Sequence, residues 1–282
     1  MAAQQTLWAQ FLQPLIRSLL DEQALQAFYE SKDWQTEGDR FRNPDLTYPD
    51  YYAGQNFHGI TDGYLNPGAA VSYDPITQYV LPPNEDWVRQ ALIDAIGGQP
   101  RRILDLGCGT GSQTLRLKQA FPSAAVTGLD LSPYMLVMAD DKAATAGCNI
   151  TWRHGLAEAT GLAANSVDLI TIALLFHETP PAIAQAILHE CFRLLVPGGQ
   201  VAIVDGRQAA LRSVEWLNRV FEEPHIQAYA AGDLDTWLRN ANFQAIRAQE
   251  FWWLHQITVA QKPLLAASPA PATASGHWAA AV

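Results

Sequence analysis

Three glycines at alternate positions, Gly107, Gly109 and Gly111, follow the apolar run Ile103-Leu104-Asp105-Leu106 and precede a helical stretch. Glycine at such a turn permits positive φ and lets a ligand approach the backbone closely. Ligands of open parallel sheets sit at the carboxyl ends of the strands, so a nucleotide-like cofactor would lie here. Asp130, nineteen residues past Gly111, ends the next apolar run, in the right place to accept hydrogen bonds from both ribose hydroxyls. Asp105, two positions before Gly107, would repel a pyrophosphate, whereas it can accept from the ammonium group of an amino acid. The dinucleotide fingerprint G-x-G-x-x-G, counted from Gly107, requires glycine at position 112, which is Ser112. Together these residues favour S-adenosylmethionine over NAD.

A group that handles protons is needed only if an acceptor must lose one. His177, in Leu174-Leu175-Phe176-His177-Glu178, follows an apolar run and should sit at the same edge of the sheet. Its unperturbed pKa of about 6.5 suits proton transfer at neutral pH. It could equally cap the next helix or shape the pocket. Glu178 could orient His177, or be a first-turn carboxylate favoured by the helix dipole. His58 is a second candidate, whereas His189, Glu190 and Cys191 fall inside a helical stretch and read as structural. Cys108, inside the glycine turn, reads as a small packing residue that borders the cofactor.

The elements that must position these groups are legible from residue 84 onward. Strand candidates are 102–106, 125–129, 150–153, 167–174 and 200–204; helical stretches lie at 112–121, 132–146 and 181–195. Asn84 can cap a helix through Ala95, ended by Gly97-Gly98. Strand-helix alternation predicts a parallel sheet covered on both faces. The runs 245–251 and 254–260 are nearly adjacent and predict an antiparallel hairpin at one edge. Residues 7–20 carry apolar pairs four apart, a helical stripe expected to pack on the body of the protein. Residues 38–84 are rich in Gly, Pro, Asn, Asp and Tyr and poor in regular periodicity; their five tyrosines from Tyr48 to Tyr73 speak for an ordered cap rather than disorder. The last residues, LLAASPAPATASGHWAAAV, read as a flexible tail.

The balance of 18 basic to 28 acidic residues, with no basic run, argues against a nucleic-acid partner. The three cysteines, Cys108, Cys148 and Cys191, have no metal-ligand spacing, so no metal is expected. No basic residue precedes Arg17, and no run of about 18 apolar residues exists, which argues against a signal peptide and an integral membrane segment. A cytoplasmic protein is the expectation.

The sequence resembles class I S-adenosylmethionine-dependent methyltransferases, in the branch that includes ubiquinone and menaquinone biosynthesis enzymes. DLGCGTG at 105–111 is similar to the first motif of that family, GLDLSPYML at 128–136 to its second-strand motif, and LLVPGGQVAIVD at 194–205 to the turn into its fifth strand. HGLAEATGLAANSVDLI at 154–170 is similar to its "G-D-A-E … L-P-F … N-S-F-D" stretch. The resemblance implies that Asp105 and the turn 107–111 hold the methionine part, Asp130 the ribose, that Leu131 packs on adenine, and that the Ala157 amide meets the adenine ring. Tyr73-Asp74 resembles a pair that borders the cofactor in this branch. Leu156 stands where the family often has an aspartate that takes the adenine amino group; Glu158 or a water could substitute.

The expected architecture is therefore α/β: a Rossmann-like three-layer sandwich with a mostly parallel seven-stranded sheet, an antiparallel edge hairpin, and a helical and irregular N-terminal cap. Its expected division is a cap at 1–85, a cofactor domain at 86–262 and a tail at 263–282. Tyr51, Tyr52, Tyr64, Trp216, Phe221, Tyr229, Trp252 and Trp253, as a group, suggest an apolar or aromatic small-molecule acceptor. Methyl transfer to its carbon or oxygen is the expected reaction. A non-catalytic cofactor-binding or partner-binding module on the same fold, or an NAD-dependent oxidoreductase, is the alternative.

Overall fold

The computed structural model describes residues 19–57, 60, 62–81, 83–214 and 224–264. The helical stripe at 7–20 falls almost wholly outside them, and so do His58, Trp216, Phe221 and nearly all of the expected tail. The first elements are α1 (Glu22–Glu30), α2 (Trp34–Asp39), α3 (Pro67–Val80) and α4 (Glu85–Ala95). The alternating region follows: β1 (Arg102–Leu106), α5 (Ser112–Ala120), β2 (Ala125–Asp130), α6 (Pro133–Thr145), β3 (Thr151–His154), β4 (Val167–Ala173), α7 (Pro181–Leu194) and β5 (Leu195–Gly206). Short helices α8 (Gln208–Ser213), α9 (Ile226–Ala230) and α10 (Leu234–Asn240) lead to the hairpin of β6 (Gln244–Phe251) and β7 (His255–Gln261).

The seven strands form one sheet in the order β3-β2-β1-β4-β5-β7-β6. β1 pairs in parallel with β2 on one side and β4 on the other, and β5 receives β7 antiparallel. The chain order reverses between β1 and β4, the switch point where open sheets leave a crevice for a ligand. Strand residues alternate between two apolar layers. Leu104, Ile170 and Ile203 pack with α7, whereas Ile103, Leu169 and Ala202 pack with Val88, Leu92 and Leu117 of α4 and α5. Covering both faces explains why the central strands are almost wholly apolar.

Two departures from the sequence reading have local causes. β5 starts at Leu195, five residues before the expected strand, because the Val196–Gly199 stretch bulges: Val167 pairs with Leu195, but Leu169 pairs with Gln200. A Cβ at Gly199 would lie 2.9 Å from the Val196 carbonyl, so the bulge needs glycine there. The second departure is α3, fourteen residues of regular helix inside the expected irregular cap. Asn66 caps it by accepting from the Gly68 N–H, and Pro67 fills the first turn, where no donor is missed. Gly68 and the internal Pro75 hide the helix in the sequence because both read as breakers.

Candidate active site

Gly107, Gly109 and Gly111 all have positive φ, at 64°, 52° and 78°. A Cβ on Gly107 would approach Leu175 Cδ1 to 2.8 Å, so the turn also fits closely under the β4 exit. A Cβ at Gly109 would meet nothing within 4 Å: this glycine borders open space. The turn is tied to the next strand, since the Cys108 N–H donates to the Leu129 carbonyl at 3.0 Å and the Gly109 N–H to Asp130 Oδ2 at 2.7 Å. The Ser132 N–H donates to Asp130 Oδ1 at 2.8 Å. Burial raises the Asp130 carboxyl to about 6; the two N–H donors oppose the rise, and nearby Glu178 adds to it.

Asp105 is only 1% exposed. Its Oδ1 accepts from Thr171 Oγ1 and its Oδ2 from Thr114 Oγ1, both at 2.6 Å. Burial pushes this carboxyl to about 6 as well, against the two hydroxyl donors. Asp105 thereby joins β1, β4 and α5 beneath the glycine turn. Cys108 is buried beside it, its thiol pushed well up by desolvation. Neither side chain lines the cavity above.

That cavity contains about 750 Å³ of empty space, its open mouth included. Gly107, Gly109, Asp130, Leu131, Ala157 and Glu158 line one part of it, which brings together most of the residues expected at a cofactor. Tyr51, Tyr52, Phe57, Tyr64 and Tyr73 reach it from the cap and α3, and Leu174, Leu175, Glu178 and Thr179 from the β4 exit. Tyr51 Oη donates to Glu158 Oε1 at 2.6 Å, while Glu158 Oε2 is buried with no partner among the described residues. Burial, then the hydrogen bond to Glu158, drives the Tyr51 phenol far above its usual range. The Asp130 and Glu158 carboxylates could accept from a ligand that carries hydroxyl and amino donors, and the glycine turn leaves room beside them.

His177 lies on a single 3₁₀ turn, Phe176–Glu178, and is not among the described residues that line the cavity. Its Nδ1 is 2.6 Å from Asp205 Oδ1 at the end of β5. Asp205, 1% exposed, also accepts from the N–H of Phe176 and of Gly206. Glu178, one residue on, does line the cavity and accepts from Tyr64 Oη at 2.7 Å. Tyr229 is a core residue whose hydroxyl donates to the Gly206 carbonyl, and Trp252 and Trp253 stand exposed on the β6–β7 hairpin.

Two groupings have no counterpart in the sequence reading. Asp74, on α3, accepts from Lys142 Nζ at 2.6 Å and Thr110 Oγ1 at 2.6 Å, and Lys142 also donates to Ser112 Oγ at 2.8 Å. This clamp fastens α3 to the glycine turn and α6. Beside it Arg89, 6% exposed, pairs with Glu85 at 2.7 Å, and Thr77 Oγ1 donates to the same carboxylate. The i, i+4 spacing of Glu85 and Arg89 is visible in the sequence, but their burial is not.

Residues 103–199 match the family model described as a methyltransferase domain. The strand order, the glycine turn and that match agree. This segment is similar to a methyltransferase domain. Sequence relatives include the demethylmenaquinone methyltransferase of Thermus thermophilus, 36% identical over 42% of this chain and 53% of that enzyme. The malonyl-[acyl-carrier protein] O-methyltransferase of Methylococcus capsulatus is 34% identical over 65% of this chain and 62% of its own. The chain spans about half the length of the curated demethylmenaquinone methyltransferases it matches. Among solved structures, the PH0226 protein of Pyrococcus horikoshii OT3 superposes with a TM-score of 0.54 at 14% identity, over 67% of this chain and 95% of that one. Phosphoethanolamine N-methyltransferase 2 of Haemonchus contortus, solved in complex with S-adenosyl-L-methionine, gives 0.53 at 17% identity, over 69% and 56%. At these identities the likeness is one of fold. Among the described residues no helix is long and apolar enough to cross a membrane.

Proposed function

We propose that the chain is an S-adenosylmethionine-dependent methyltransferase whose acceptor is a small, largely apolar molecule of the quinone, phenol or lipid-like kind, methylated at carbon or oxygen. One observation carries the reading: a single cavity joins the glycine turn and Asp130 at the switch point to a wall of aromatic and aliphatic side chains. Asp130 would accept from the ribose, Glu158 and the Ala157 amide would meet the adenine, and Leu131 would pack on its ring. The bound cofactor supplies a methyl group already activated by its sulfonium.

The work left to the protein is alignment and exclusion of water, and proximity alone is worth up to ~7–11 kcal/mol. Tyr52, Phe57, Tyr64 and Tyr73 supply a dry wall. Tyr64 joins it to the domain through Glu178, and Ser132 Oγ holds the Tyr64 carbonyl at 2.6 Å. Demethylmenaquinone, named as acceptor for the Thermus thermophilus relative, is of this apolar aromatic kind. The unit boundaries that suit this reading are a cap at 1–85, the methyltransferase domain at 86–262 and a tail at 263–282, in a cytoplasmic protein without a nucleic-acid partner.

Calorimetric titration with S-adenosylmethionine, S-adenosylhomocysteine and NAD tests the proposal. Micromolar binding of the two sulfur compounds and none of NAD is expected. Binding of NAD alone, or of none of the three, overturns it.

A further inference from the structure

Beyond the cofactor residues, the described cavity wall holds one carboxylate among aromatic and aliphatic groups: Glu178. Its side chain is 14% exposed and accepts from Tyr64 Oη at 2.7 Å. It acts electrostatically on Tyr52 and Tyr73, whose phenols are raised first by burial and then by nearby charge, and on Asp130 at the ribose end. His177 Nε2 lies 4.0 Å from Glu178 Oε1. Glu178 therefore stands at the junction of the cofactor half and the aromatic half of the cavity.

We propose that Glu178, oriented by Tyr64, is the group that receives the acceptor's hydrogen, and that the acceptor is accordingly a neutral phenol or hydroquinone. This rests on the methyltransferase reading and narrows it. An ionised carboxylate has about four acceptor sites, so the Tyr64 bond does not saturate it. A phenolic hydroxyl can donate to it while the ring lies against the tyrosine wall. As the acceptor's oxygen or activated ring carbon takes the methyl group, the C–S bonding pair stays on sulfur. The acceptor's hydrogen passes to a Glu178 carboxylate oxygen, and from there to water when the product leaves.

The same charge selects against other acceptors. A carboxylate acceptor, such as the Methylococcus capsulatus relative is named for, would face Glu178 as a like charge in a dry cavity. A cationic amine would suit the charge but would lack the added attraction of open ring faces. Here the rings are spent on one another: Phe57 stacks on Tyr64 with centroids 5.2 Å apart, and Tyr73 meets Tyr64 edge-on at 5.9 Å.

The test uses 4-nitrophenol as a chromophoric probe, titrated against the protein saturated with S-adenosylhomocysteine. Wild type should bind the probe in its neutral form. In Glu178→Gln, which keeps the Tyr64 hydrogen bond but loses the charge, the bound probe should ionise about one pH unit lower. Tyr64→Phe, which leaves the carboxylate in place, should leave that midpoint unchanged or raise it. Benzylamine should compete poorly. An equal midpoint in wild type and Glu178→Gln, no binding of 4-nitrophenol to the loaded wild type, or tight Glu178-dependent binding of benzylamine would each overturn the proposal. Failure of S-adenosylhomocysteine to bind wild type would instead overturn the methyltransferase reading beneath it.

Discussion

His177 Nδ1 sits 2.6 Å from Asp205 Oδ1, and the same carboxylate receives the N–H groups of Phe176 and Gly206. Asp205 thus fixes the 3₁₀ turn after β4 against the end of β5, and with it the place of Glu178 in the cavity. Asp205→Ala would leave two backbone donors and an imidazole without their acceptor in a buried site. A loss of stability on the order of 2–3 kcal/mol is expected, with Asp205→Asn costing less. Urea denaturation measures it; an Asp205→Ala protein as stable as wild type would show that water replaces the carboxylate at no cost.

At the proposed ribose site, Asp130 would connect pH to cofactor affinity. Its carboxyl is raised to about 6 in the protein without ligand, chiefly by burial. Donation from ribose hydroxyls favours the ionised form, so binding lowers that pKa and releases a proton near pH 6. Affinity for S-adenosylhomocysteine should therefore be level above pH 7 and fall as the pH drops below about 6. Calorimetry in buffers of different ionisation enthalpy reads the released proton directly. Asp130→Ala should abolish the release and weaken binding more than about tenfold, the effect of losing a hydrogen bond to a charged group. Full affinity in Asp130→Ala would remove Asp130 from the ribose site.

Asp105 should influence folding stability rather than ligand affinity. Its carboxyl is held near 6, against an ordinary value of 3.8, so between those values the folded chain binds more protons than the unfolded one. Stability from this group is thus complete below about pH 4 and is lost as the pH rises through about 6. Asp105→Asn keeps the shape and removes the charge. It should be more stable than wild type at pH 7.5, with the difference shrinking towards pH 4.5. A constant difference across that range would mean that Asp105 is not the titrating group.

Asp105 also marks where sequence reading stops. The glycine turn, β1 and the capping of α4 by Asn84 depend on neighbouring residues, and all three were legible. Whether the carboxylate of a strand residue faces a ligand or a neighbouring strand depends on partners such as Thr171, 66 residues away. His177 and Glu178 show the same limit within one turn. The sequence places both at the β4 exit, but the 3₁₀ turn sends the imidazole to Asp205 and the carboxylate to the cavity. Helix α3 was hidden for the opposite reason, since local breakers there are overruled by the Asp74–Lys142 clamp and the Asn66 cap.

Glu158 offers an acceptor close to Leu156, which offers none. Leucine offers no acceptor for an adenine amino group, yet two residues on, Glu158 Oε2 is buried at the cavity with no partner among the described residues, while its other oxygen is held by Tyr51. If Oε2 takes the amino hydrogen, wild type should discriminate between S-adenosylhomocysteine and S-inosylhomocysteine, which carries a carbonyl at that position. A hydrogen bond to a charged acceptor is worth about 1.5–3 kcal/mol, so the inosine compound should bind at least about tenfold more weakly. Glu158→Ala should weaken the adenosine compound by a similar factor and erase the preference. Tyr51→Phe should keep the preference, because it frees the carboxylate without removing it. Discrimination that persists in Glu158→Ala would assign the amino group to the backbone near Ala157 instead.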